Sequence, residues 1–87
     1  MAKQLLDFVR SGGVIDLGTR QFTLDGSETD GDISVATFVS GSRSYTGVLC
    51  VNAKVPGKPD AEVWAIMGSK RTLATFAIHH NGLLRLR

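Results

Sequence analysis

After the paired glycines at positions 12 and 13, no apolar run is separated from the next by enough chain to hold a crossover helix. β-Branched and aromatic residues come in short runs punctuated by Gly, Ser, Asn, Asp or Pro, which is the pattern of strands and turns. Parallel neighbours need a connection of about a dozen residues or more. The runs must therefore be joined as antiparallel neighbours, in a meander or a small barrel. They predict strands near residues 14–17, 20–24, 33–40, 44–55, 61–67, 72–79 and 83–87.

Before the glycines, Ala2, Leu5, Leu6 and Val9 fall at i, i+3, i+4 and i+7, one stripe of an α-helix over about residues 2–11. Gly12-Gly13 follows a basic residue and supplies the positive φ of a helix C-terminus. The expected fold is α+β. An N-terminal amphipathic helix packs on an antiparallel meander or small open barrel of five to seven strands, in a single domain over residues 1–87. With one Cys, no internal disulfide can form, and an oxidation-independent, cytoplasmic protein is expected.

Turn chemistry fixes several connections. Asn81-Gly82 suits the centre of a type I′ hairpin turn, and Pro56-Gly57 the centre of a type II turn. Gly41-Ser42 and Gly68-Ser69 mark two further reversals. Along residues 45–55, Tyr45, Leu49, Val51, Ala53 and Val55 share one strand face, and Val48 and Cys50 interrupt the polar side. The Cys50 thiol is expected to be buried and inert.

The N-terminal apolar cluster is broken by Asp7 and Arg10, so it lacks the continuous apolar stretch of a signal peptide. Apolar runs such as residues 48–51 are far shorter than the ~20 residues of a membrane-spanning helix. No membrane association is expected. Net charge is +2, unevenly spread: residues 1–32 carry six acidic and three basic side chains, and residues 33–87 seven basic and two acidic. That asymmetry suits a basic face for an anionic partner, or a charge-complementary contact between copies of the chain.

Residues 25–32, DGSETDGD, invite a calcium reading, but aligning Gly31 with the EF-hand glycine puts Gly26 at the first ligand position and Thr37 at the last. A solvated acidic loop is expected. His79-His80 are adjacent on a strand, point to opposite faces and do not converge on one metal ion. No cofactor or metal is implied, and no nucleophile with an oriented base is evident, so an enzyme is the least supported class.

Asp16-Leu17-Gly18-Thr19, with its flanking strands, resembles the strand-turn-strand phosphate loop of actin-like and sugar-kinase ATPases. Those enzymes close two large domains over a nucleotide, and 87 residues are a fraction of one, so an ATPase is excluded. A tight hairpin with Gly18 in its bend is expected.

Two readings remain. The first is a non-enzymatic protein that works by protein-protein contact, with itself as a homo-oligomer or with another protein, as an assembly component or small inhibitor. Both faces of several strands carry apolar groups, and Leu5, Phe8, Trp64 and Ile66 are the candidate interface residues. The chain's size fits a viral or mobile-element accessory factor. The second reading is nucleic-acid or phosphorylated small-molecule binding. GSRSY and GSKRT can present Ser42, Arg43, Ser69, Lys70 and Arg71 to phosphate, provided their strands run alike. Tyr45 would stack on a base, and Arg85 and Arg87 would face outward from a terminal strand whose Leu84 and Leu86 face inward.

Overall fold

The computed structural model describes residues 3–25, 34–80 and 82–86. Helix α1 (Lys3–Arg10) is followed by β1 (Ile15–Asp16), β2 (Gln21–Leu24), β3 (Val35–Ser40), β4 (Arg43–Leu49), β5 (Glu62–Met67), β6 (Thr72–His79) and β7 (Gly82–Leu86). Every strand pairs antiparallel with its neighbour in sequence, in the order β1 to β7, and the sheet curls into a nearly closed barrel. The chain is mostly β with one short N-terminal helix, which is broadly consistent with the α+β meander or barrel expected.

The helix stops as its glycines require. Gly13 N–H donates to Phe8 O at 2.9 Å and Gly12 N–H to Val9 O at 3.1 Å, with Gly12 at φ +93°, the two-bond pattern of a Schellman cap. Its start is held from across the chain. Glu62, buried at the head of β5, accepts from Gln4 N–H at 2.8 Å and Leu5 N–H at 3.0 Å, and from the Trp64 indole N–H at 3.3 Å. A helix leaves its first four N–H groups unsatisfied, and this carboxylate takes two of them.

Leu5, Phe8, Trp64 and Ile66 are core residues of the monomer, 0–8% exposed, which corrects their assignment to a partner interface. Leu5 and Phe8 of the helix share one buried cluster with Trp64 and Ile66, so those side chains are already covered within one chain. On the opposite face of β5, Val63 and Ala65 are also buried. Phe38 lies at the centre, edge-on to Trp64 at 6.2 Å and to Phe76 at 5.9 Å. Gly47, paired with Ala36, makes room for it: a Cβ there would lie 2.0 Å from the Phe38 ring.

Three local expectations change. The long fourth strand ends at Leu49; Cys50 N–H still donates to Val63 O at 2.8 Å, and the chain then turns away. Val51 is consequently exposed and Cys50 half-buried rather than sealed in a strand. The downstream Pro56-Gly57 pair forms its expected turn, with Lys58 N–H on Val55 O at 2.9 Å and Gly57 at φ +80°.

The β6–β7 turn closes one residue earlier than expected. His79 pairs with Gly82 and His80 takes φ +51°, so Gly82 is the first strand residue; Asn81 lies outside the described residues. β7 is also rotated relative to the expectation. Leu83 pairs with Ile78 and Arg85 with Phe76, both inward positions, whereas Leu84 and Leu86 pair with Ala77 and Thr75 on the outer face. Leu83 fills the core place expected of Leu84.

Candidate functional site

In a meander whose neighbours are all antiparallel, odd-numbered strands run one way, so the turns that follow them gather at one end of the barrel. Those turns are residues 17–20 after β1, 41–42 after β3 and 68–71 after β5, and β7 ends among them. GSRSY and GSKRT therefore do share an end. Arg20, Arg43, Lys70, Arg71 and Arg85 are all exposed there, and Asp16 is the acidic residue beside them. Arg87 lies outside the described residues.

Each connection is tight. Gly41, at φ +62°, is the first central residue of the two-residue loop between paired Ser40 and Arg43, the position that favours glycine in a type II′ turn. A groove of about 480 Å³ joins the two Gly-Ser turns, lined by Arg43, Ser44, Tyr45, Met67, Gly68 and Ser69. Ser42 and Ser69 are exposed at the two tips. Two smaller clefts, of about 200 and 210 Å³, adjoin each other where the β1–β2 hairpin meets β6 and β7. Arg20 borders one and Arg85 the other.

The Asp16-Leu17-Gly18-Thr19 segment is the tight hairpin expected. Asp16 Oδ1 accepts from Gly18 N–H at 2.9 Å and Oδ2 from the Gln21 amide at 3.3 Å, so the carboxylate holds the turn's own backbone and neighbour. Gly18 has φ +89°, and a Cβ on it would lie 2.7 Å from Arg85 Nη1. The inward register of Arg85 thus lays its guanidinium across the hairpin.

Tyr45 is not a bare stacking platform. Its hydroxyl accepts from Arg20 Nη1 at 2.9 Å, the Arg20 guanidinium sits 5.7 Å from its ring centroid, and Phe22 meets it edge-on at 5.6 Å. Arg20 is the site residue that sequence reasoning missed. The rule that alternate turns share an end finds it, since it closes the first odd-numbered connection. Among the described residues, Arg43, Lys70, Arg71 and Arg85 make no ion pair or side-chain hydrogen bond, so their charge is not locally paired.

At the opposite end, the positive φ of His80 swings its ring to 4.0 Å from that of His79, correcting the expectation that the two side chains diverge. Burial and then the nearby His80 and Lys58 charges push the His79 pKa below its usual value, with Asp60 acting the other way. Among the described residues, no three His, Cys, Asp or Glu side chains converge in a metal-binding group, and no helix is long and apolar enough to cross a membrane. Most of the acidic segment 25–32 lies outside the described residues. Comparison of the chain with family models, with curated proteins and with solved structures returns no match.

Proposed function

We propose that this chain is a non-enzymatic binding protein whose basic barrel end holds a polyanion, nucleic acid foremost. One observation carries the reading: three turns and β7 bring five exposed cations to one end, four of them without an ion pair or side-chain hydrogen bond among the described residues. The turns are short and glycine-shaped, so the cations are presented on a rigid frame with little ordering cost. Engaging five phosphates gives a salt slope of about −4.5, a loss of about 500-fold in affinity between roughly 50 and 200 mM salt. Fluorescence anisotropy with a labelled DNA checks this. Arg43→Glu and Arg71→Glu are expected to weaken binding with unchanged circular dichroism, and Lys54→Glu at the other end to leave it intact. Binding insensitive to salt, or equally weakened by Lys54→Glu, refutes the assignment.

A second reading, self-association, is favoured by a different surface. Outward positions along the middle of the sheet hold Val35, Val48, Ala65, Thr75 and Leu86 in one cross-strand row without a charge. Val35 is 57% exposed and Val48 36%. Sedimentation velocity of the parent and of Val35→Lys tests it: a dimer that the lysine dissociates supports the reading, and a monomer at all concentrations overturns it.

A further inference from the structure

We infer that the polyanion at this end is double-stranded nucleic acid held by its phosphate backbone, an inference that rests on the reading above and narrows its ligand. The first ground is where the rings are. Single strands are held largely by stacking bases on exposed aromatic faces. Phe8, Phe22, Phe38, Trp64 and Phe76 are all buried, and Tyr45 at the basic end is taken up by Arg20 and Phe22. What the end offers a ligand is guanidinium, ammonium, hydroxyl and turn backbone, which is the chemistry of phosphate contact.

The second ground is spacing. The β3–β4 and β5–β6 turns are two strand positions apart, about 10 Å at the usual inter-strand distance. A groove runs between them. That separation falls between the roughly 6 Å minor and 12 Å major groove widths of B-form DNA, so Arg43 on one turn and Lys70 with Arg71 on the other can reach phosphates on opposite strands. A single strand offers one phosphate row and leaves half of this arrangement unused.

The test measures affinity for three probes under one buffer: a duplex, its separate strands, and inorganic polyphosphate. The duplex is about 16 base pairs, longer than the 35 Å extent of the molecule at roughly 3.4 Å per pair. Even with five phosphates engaged on both, the larger counterion release from a duplex gives about tenfold tighter binding than to either strand near 0.1 M salt, so a preference of at least that size is expected. Two duplexes of unrelated sequence are expected to bind within about twofold of each other, because phosphate contacts carry no sequence information. Arg43→Ala is expected to narrow the duplex-over-strand preference. A single strand bound as tightly as the duplex, polyphosphate bound tighter than either, or a tenfold difference between duplex sequences overturns the inference while leaving a basic anion site in place. Failure of all three probes to bind overturns the site itself.

Discussion

Replacing Glu62 tests the idea that the helix is clamped to the barrel by one buried carboxylate. In Glu62→Ala three donors lose their acceptor: two helix-start N–H groups and the Trp64 indole. Hydrogen bonds to a charged acceptor are each worth about 1.5–3 kcal/mol, and the helix-end charge interaction adds about 0.3–1 kcal/mol. Water entering the vacated space recovers part of this, so the expected cost is about 3–4 kcal/mol. For a domain of this length each kcal/mol lowers Tm by about 4–8 °C, so Tm falls by more than about 12 °C. Glu62→Gln keeps one acceptor oxygen and most of the volume, and is expected to cost about 1–2 kcal/mol. Urea unfolding followed by Trp64 fluorescence measures both, and the probe is itself one of the donors. A Glu62→Ala protein within about 0.5 kcal/mol of the parent, or a Gln variant as damaged as the Ala variant, refutes the clamp.

Gly47→Ala drives a methyl into the Phe38 ring, which is fully buried between Trp64 and Phe76, so a loss of about 2–3 kcal/mol is expected in urea unfolding, partly recovered by Phe38→Leu. Gly12→Ala meets no neighbour within 4 Å and pays only for its positive φ, about 1–2 kcal/mol, which thermal unfolding will show as the smaller shift of the two. His79 is expected to titrate by NMR below its usual 6.5, and its midpoint to rise in His80→Asn. Because folding lowers this pKa, the neutral form is favoured in the native state. Any stability it contributes is complete above the usual value and is lost as pH falls below it; a midpoint above 6.5 contradicts the geometry.

The strands were legible because this chain punctuates them heavily. Glycine and proline placed the C-terminal end of α1 and the turns after β3 and near residue 57 almost to the residue, since positive φ leaves few alternatives. Long-range partners were not legible. Nothing local in the sequence marks Glu62 as the cap of a helix 57 positions earlier, and alternation alone does not say which face of β5 is inside when both are buried. The face of β7 was misread for a related reason: LLRLR fits either register, and the His79–Gly82 pairing chose the one that turns Arg85 inward. Burial of Leu5, Phe8, Trp64 and Ile66 follows from the helix reaching the barrel's interior, a tertiary fact that amphipathicity announces without naming the surface it covers.

The charge map shows how turn parity recasts a sequence pattern. Along the chain the first 32 residues are acidic and the remainder basic. In space the division is by barrel end instead. Arg20, from the acidic half, joins Arg43, Lys70, Arg71 and Arg85, while Lys54 and Lys58, from the basic half, sit in the β4–β5 connection at the opposite end, where Asp60 and Glu62 also lie. Asp25 and Ser34 also lie at that opposite end, Asp25 N–H donating to Thr37 O on β3 and Leu49 N–H on β4 donating to Ser34 O. Among the described residues the odd-turn end therefore carries five cations and one carboxylate, although the net charge of the chain is only +2. Such a distribution orients an approaching polyanion before contact, an effect that a Debye length of about 10 Å confines to low and moderate salt. Moving one cation from the odd-turn end to the even-turn end, as in Arg71→Ser with Asn52→Arg, keeps net charge constant and is expected to slow association with DNA. An unchanged association rate in stopped-flow at low salt would show that net charge, not its placement, governs the encounter.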